Sequence, residues 1–173
     1  MTAKTLELGS VVVPLWASMQ IRQRFWLLGG ATTLRMMNGA GKQQTHWRRL
    51  ATTISGAGNI PAGLDELDYR QPLTLKCVAQ RSITAAGNVI TIPSARRSDA
   101  GHLPHGFAES AGGVLTPTPV ALAGNVATLT PVVGAARYTV LWFPQFSVFA
   151  TPPAGDVDTG NASFGWELNA EET

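Results

Sequence analysis

The sequence is poor in charge, has a single cysteine and contains no long apolar run. Only 14% of its 173 residues are Asp, Glu, Lys or Arg, against the roughly 25% usual for soluble domains. Cys77 has no second cysteine with which to form an intrachain disulfide. No apolar stretch reaches the roughly 18–20 residues that a membrane-spanning helix needs, and no signal-peptide pattern opens the chain. We therefore expect neither a membrane span nor a disulfide scaffold, and we expect synthesis in a cytoplasm.

Turn-forming and apolar residues are abundant by contrast. The chain has 18 glycines, 11 prolines and 45% apolar residues, which predicts many turns around a sizeable core. The predicted fold is mainly β: a β-sandwich or rolled β-barrel with one short α-helix and long ordered loops. We expect a single structural domain over residues 1–173. A possible subdivision separates a loop-rich region with the helix, 1–113, from a sandwich-like layer, 114–173.

The helix is predicted over Thr45–Ile54. Trp47, Leu50, Ala51 and Ile54 follow the spacing i, i+3, i+4, i+7, which places them on one apolar stripe. Thr45 suits the N-cap position. The glycines after residue 55 are typical of a helix end.

Three segments rich in turn residues are predicted to be long loops that contact neighbouring subunits. They are 38–44, 56–72 and 93–113, and the last has six glycines and prolines in twenty-one positions. Loops of that length inside a compact domain are usually functional or disordered. The last third of the chain, by contrast, alternates apolar and polar residues as strands do.

The charge is divided unevenly along the chain. Residues 20–97 hold eleven basic and three acidic residues, a net +8, whereas residues 98–173 hold one basic and seven acidic residues, a net −6. A molecule that is positive on one side and negative on another can stack head to tail, and such heterologous contacts build rings or open stacks. The residues predicted to meet across subunits are Arg48, Arg49, Asp65, Glu66, Asp68, Arg96, Arg97, Asp156 and Asp158.

No motif indicates catalysis, a cofactor or a metal. His102 and His105, near Asp99 and Glu109, lack the three or four framed ligands of a zinc site. Ser98, Asp99 and His102 lie together in one irregular segment, which does not give a catalytic triad its rigid scaffold. The acidic residues 65–68 are neighbours in one loop and not two carboxyls across a cleft. We therefore expect no catalytic, cofactor-binding or metal-binding residue, and hence no enzyme.

Direct nucleic-acid binding is not expected either. Trp26 and Trp47 lie among Arg48, Arg49 and other basic residues, an arrangement that single-strand binders use. Both tryptophans, however, fall on the apolar faces of their predicted elements, where they would form core.

Two family resemblances concern the fold and the function. Thr128–Trp142 resembles two strands of a fibronectin type III-like sandwich, which implies a sandwich layer. Residues 34–58 with 63–73, and residues 138–149 with 164–172, resemble structural proteins encoded in the tail modules of tailed bacteriophages. The second resemblance implies a virion protein that forms a homo-oligomeric ring of the tail tube, terminator, distal tail or baseplate, with other phage structural proteins as partners.

Three alternatives remain. One is a receptor- or glycan-binding β module of a tail tip or fibre, with Trp142 or Trp166 exposed in a groove. A second is a head–tail connector or capsid-associated protein. The third is a small hydrolase that uses Ser98, Asp99 and His102.

Overall fold

The chain is mainly β, with several antiparallel sheets. A computed structural model describes residues 5–173, so residues 1–4 of the predicted domain lie outside the described part. Strands make up 57% of the chain and helix 2%. Residues 5–173 form fifteen strands, in chain order β1 Glu7–Leu8, β2 Val11–Val12, β3 Arg22–Arg35, β4 Gly41–Gly58, β5 Leu73–Lys76, β6 Arg81–Ala85, β7 Val89–Thr91, β8 His105–Ser110, β9 Leu115–Thr118, β10 Val120–Ala123, β11 Val126–Leu129, β12 Ala135–Trp142, β13 Gln145–Ala150, β14 Ala154–Asp158 and β15 Ser163–Glu172.

The mainly β prediction is confirmed, but the predicted helix over Thr45–Ile54 is wrong. These residues belong to β4, and the helix found between residues 5 and 173 is a single 3₁₀ turn, Leu15–Ala17. Leu50, Thr52 and Ile54 are buried at strand spacing, and the β-branched run Thr52–Ile54 favours a strand. Ala51 is also buried, but on the face of the sheet opposite to Leu50 and Ile54. The buried positions therefore fit a helical spacing although they belong to a strand.

The predicted long loops are also shorter than expected. Residues 41–44 and 56–58 belong to β4, and residues 105–110 form β8. Asn38–Gly39 forms the turn between β3 and β4, with Gly39 at φ +79°. Gly29 and Gly30 lie inside the fourteen-residue β3.

The chain divides into two compact units. Unit 1 comprises Met1–Glu7 and Leu75–Phe146, and unit 2 comprises Leu8–Thr74 and Ser147–Thr173. The subdivision suggested by the sequence, at residues 113/114, falls inside unit 1 in the turn between β8 and β9.

Unit 1 contains two open antiparallel sheets. One has the strand order β6-β12-β8-β9 and the other β10-β11-β7. One hydrophobic cluster takes residues from both sheets, among them Ile90 and Leu129 from the second, and Val140 and Trp142 from the first. This arrangement is sandwich-like.

The Tyr138 hydroxyl in unit 1 accepts a hydrogen bond from the backbone N–H of Val132 at 3.1 Å. A tyrosine at the start of a strand that bonds back to the preceding connection is a feature of immunoglobulin-like sandwiches. The sandwich-like class expected from residues 128–142 is consistent with this geometry.

Unit 2 is organised around the two longest paired strands, β3 and β4. Adjacent strands run in the order β14-β15-β4-β3, all antiparallel, and β13 also pairs with β15. Leu168 lies opposite Ile54, and Trp166 lies opposite Gly56, so large apolar side chains face glycine or aliphatic partners on the buried face. β3 and β14 are the outer strands of this four-strand series.

Candidate assembly surface

The β3–β4 hairpin extends well beyond the strand that supports it. β15 pairs with β4 only from Gly58 to Ala51, whereas β3 pairs with β4 as far as Arg35 and Gly41. At the end of β15 the Leu50 N–H donates to the Glu172 carboxylate at 2.8 Å. Residues 28–49 therefore form a two-stranded extension, which we call the ribbon. Its tip lies about 25 Å from its base at the usual strand rise of about 3.3 Å per residue.

The tip of the ribbon is locally well defined. The Met36 N–H donates to the carbonyl of Ala40 at 2.9 Å, and the Gly39 N–H donates to the carbonyl of Met36 at 2.8 Å. The Asn38 side chain accepts from the Ala40 N–H, and Arg35 donates to the Gly39 carbonyl. These bonds hold Met36 and Met37 at the apex of a closed turn.

Large apolar side chains are exposed along the ribbon. Leu34, Met36 and Trp47 are each about half exposed, and Met37 is fully exposed. The Trp47 indole lies over Gly30, where an added Cβ would be 2.8 Å from its Nε1 atom. An isolated two-stranded hairpin is only marginally stable in water. Covering the exposed apolar side chains at its tip with another surface lowers the free energy.

The outward face of the unit 2 sheet carries basic residues along one edge and acidic residues along the other. Arg22 and Arg24 project from β3, with Ser55 and Thr53 of β4 beside them in register, and β15 follows with Glu167 and Asn169. The acidic side continues with Glu171 on β15 and with Asp156 and Asp158 on β14.

These charges do not neutralise one another within unit 2. Arg22 and Glu167 are separated by one intervening strand, which is about 10 Å at normal strand spacing, and no ion pair joins the two edges within residues 5–173. A shallow groove of about 680 Å³, lined by Arg22, Arg24 and Trp26 among others, marks the basic side.

A second groove lies at the opposite end of the same sheet, between the loop after β4 and the β14–β15 hairpin. It has a volume of about 290 Å³, and its lining includes Leu64, Val157, Phe164 and Trp166. Asp65 and Asp156 also line it and are solvent-exposed. We call this the acidic groove.

Most of the residues predicted to meet across subunits lie on the surface of unit 2. Arg48 and Arg49 are exposed on the ribbon and not on a helix. The acidic members are all exposed, three in the loop after β4 and two on the edge strand β14: Asp65, Glu66, Asp68, Asp156 and Asp158.

The two predicted interface arginines of unit 1 are engaged within the chain. Arg96 is half-buried and donates to the carbonyl of Gly124 at 2.7 Å and to the Asn125 side chain at 2.9 Å. For Arg97 the expectation is wrong, because its side chain is 1% exposed. An arginine buried in its own unit cannot meet a neighbouring subunit.

Arg97 is instead the centre of a polar cluster inside unit 1. Its guanidinium donates to the carbonyls of Thr5 at 2.6 Å and Cys77 at 3.0 Å, and it forms a two-pronged pair with Asp99 at 2.9 and 2.7 Å. These hydrogen bonds, together with the positive charge, hold the pKa of Asp99 well below its usual range, against a smaller opposing effect of burial. Arg97 thereby links the N-terminal segment of unit 1, at Thr5, to the segment of unit 1 that begins at Leu75.

His102 completes this cluster. Its Nδ1 lies 2.7 Å from Asp99 Oδ2, a short contact, although neither ring nitrogen makes a well-directed hydrogen bond. The ring packs edge-on against Phe143, with centroids 4.9 Å apart. Burial, followed by the charge of Arg97, lowers the pKa of His102. Burial therefore favours the neutral form of this imidazole.

The arrangement gives no support to the hydrolase alternative. Ser98 is exposed while His102 is 3% exposed, and no hydrogen bond joins them in the described part of the chain. No group of three or more His, Cys, Asp or Glu side chains among residues 5–173 is arranged to hold a metal ion.

The glycan-binding alternative loses the two residues on which it was based. Trp142 and Trp166 are 4% and 5% exposed, so neither presents a ring to a sugar. The tryptophans with exposed surface are Trp16, Trp26 and Trp47. The prediction that Trp47 forms core is wrong, because Trp47 lies on the exposed ribbon of β4 and not on a helix.

Taken together, the fold and surface define a mainly β protein of two units with antiparallel sheets and a projecting basic ribbon. No known family model matches the chain, and no curated protein matches it significantly. No helix in the described residues is long and apolar enough to cross a membrane.

Proposed function

We propose that this protein is a non-enzymatic structural subunit that assembles with copies of itself into a ring or stacked rings. The observation that carries the proposal is the ribbon, residues 28–49, a two-stranded extension with exposed apolar side chains and no third strand. Such an element gains stability when it adds to another surface.

The polarity of the outward sheet face supports the same proposal. Basic side chains lie on β3 and acidic side chains on β14 and β15, so the edge of one copy is complementary to the opposite edge of the next. Contacts between two different surfaces of identical copies are heterologous, and they propagate into closed rings or open stacks.

The setting that we propose is the tail of a tailed bacteriophage. It rests on the resemblance of residues 34–58, 63–73, 138–149 and 164–172 to tail structural proteins. In that setting the protein is made in the bacterial cytoplasm and ends in the virion, where it contacts other phage structural proteins. No observation favours the connector or receptor-binding alternatives over the tail ring.

Light scattering of the purified protein across a concentration and salt series tests assembly. We expect a mass that rises with concentration and falls between 50 mM and 500 mM salt, because complementary surface charges are screened. Negative-stain images of the largest species should show rings or stacks. A monomer at all concentrations and salt levels would contradict the proposal.

A further inference from the structure

The tip of the ribbon carries the most exposed apolar side chain of unit 2. Met37 is fully exposed, and Met36 beside it is about half exposed, although the turn that holds them is closed by four hydrogen bonds. Methionine is flexible and polarizable, and it fills irregular apolar cavities well. A rigid turn that presents two methionines to solvent is suited to insertion into an apolar cavity of another surface.

The acidic groove matches this tip in size and charge. Its volume of about 290 Å³ is at or below the lower limit of about 300 Å³ for small-molecule pockets, so it suits one or two side chains. The tip is flanked by Arg35 and Lys42, and the hairpin Arg22–Gly58 contains no acidic residue. Asp65 lines the groove and is exposed, which places a negative charge opposite the basic tip beside an apolar contact.

The tip of a given copy cannot reach the groove of the same copy. The groove lies beside Trp166, which is opposite Gly56 at one end of β4, whereas the tip follows Gly41 at the other end. Fifteen residues of continuous strand separate Gly41 from Gly56, about 50 Å at the usual rise. The occupant must therefore come from another molecule.

We propose that Met36–Met37 at the ribbon tip of one copy inserts into the acidic groove of a second copy. Arg35 and Lys42 then face Asp65 beside the apolar contact. Each copy offers one tip and one groove at opposite ends of the sheet, so the contact repeats in one direction. This inference rests on the proposed self-assembly and names the two surfaces that meet.

The test uses two variants that change one surface each. Met37→Glu places a negative charge on the tip, where it repels the acidic groove. Gly155→Leu fills the groove; a Cβ at Gly155 meets only the Gly165 carbonyl, at 3.7 Å, so the strand itself tolerates the change. The matched control is Val133→Glu, a fully exposed valine of unit 1. We expect each test variant to weaken association at least about tenfold, or 1.4 kcal/mol, and the control to match the wild type.

Mixing the two variants separates a tip–groove contact from general damage. The Gly155→Leu copy keeps an intact tip and the Met37→Glu copy an intact groove, so an equimolar mixture should give 1:1 dimers and nothing larger. Wild-type assembly that persists in Met37→Glu, or a mixture that stays monomeric, would overturn the inference while leaving self-assembly standing. A wild type that never assembles would refute both proposals.

A cysteine pair adds a direct readout. The native Cys77 is fully buried, so engineered surface cysteines dominate the oxidation products. Met37→Cys combined with Val157→Cys, in the groove lining, should form a ladder of disulfide-linked oligomers. Met37→Cys combined with Val133→Cys should not, and equal ladders in both pairs would argue against insertion.

Discussion

The indole of Trp166 packs against Gly56, and its Nε1 donates to the carbonyl of Ala17 at 2.7 Å. A Cβ at residue 56 would lie 2.5 Å from the indole ring. This contact ties the 3₁₀ turn to the middle of the unit 2 sheet, and it explains why a glycine occupies a buried strand position.

Gly56→Ala should therefore destabilise unit 2. The added methyl has to displace a buried ring that is fixed by its hydrogen bond, and overpacking of this kind costs about 1–3 kcal/mol. The urea midpoint, followed by tryptophan fluorescence, measures the effect. Gly155→Ala is the matched control, since its Cβ would make only an ordinary contact, 3.7 Å from the Gly165 carbonyl. Equal midpoints for the two variants would contradict the prediction.

Arg97→Ala should destabilise unit 1 much more than the loss of a surface arginine. It leaves two backbone carbonyls and the partly exposed Asp99 carboxylate without their shared donor, and each buried acceptor left unsatisfied costs about 1–3 kcal/mol. Arg81→Ala, which removes an exposed arginine of the same unit, should cost less than about 0.5 kcal/mol. Chemical unfolding of both variants decides the comparison.

Acidification should destabilise unit 1 in two stages. The pKa values of His102 and Asp99 are both lower in the folded chain than in the unfolded one, so the unfolded chain binds more protons and stability falls as pH falls. The His102 contribution is complete above its unfolded pKa of about 6.5 and is lost as pH falls through its lower folded pKa. Asp99 adds a further loss that begins below about pH 4.

Urea unfolding at several pH values between 7.5 and 3 measures these losses. Trp142 is the one tryptophan of unit 1, and its indole N–H signal reports on that unit. His102→Gln should flatten the loss between pH 7.5 and 5.5 while leaving the acid-side loss in place. An unchanged slope in this variant would show that another group controls the upper stage.

Reversing the basic edge of the outward face should weaken assembly, and reversing the acidic edge as well should restore it. Arg22→Glu with Arg24→Glu makes both edges acidic. Adding Glu167→Lys and Asp156→Lys recreates complementarity with the opposite sign. Light scattering at low salt measures the mass of each variant, with Arg81→Glu in unit 1 as the control. A quadruple variant that stays as weak as the double variant would contradict edge-to-edge complementarity.

The strand-rich fold could be predicted from local patterns, but the hairpin could not be assigned in full. The dipeptide Asn38–Gly39 is a typical hairpin-turn signal, and these residues do form the turn. The helical spacing of Trp47, Leu50 and Ala51 led to the wrong prediction of a helix. Trp47 is exposed on the ribbon, so its apolar character did not report burial on either face of a strand. The exposure of Met36 and Met37 was not predicted either. The available signal was a strong turn flanked by apolar residues in a hairpin without any acidic residue.

The charged residues show a similar limit. Sequence separates basic from acidic segments, and the structure arranges the segments of unit 2 at opposite edges of one sheet. The sequence does not show which arginine is buried. Arg96 and Arg97 are neighbours of equal chemistry, and only the fold decides that Arg97 reaches two buried carbonyls.

The pairing of β4 with β15 also has a kinetic consequence. Ile54 and Leu168 are partners although 114 residues separate them along the chain, and pairings of such long range form late in folding. A partly synthesised chain that ends before β14 and β15 has the positive hairpin but neither the acidic edge nor the β14–β15 side of the acidic groove. Partial chains therefore repel one another, and self-association is delayed until the sheet of unit 2 is complete.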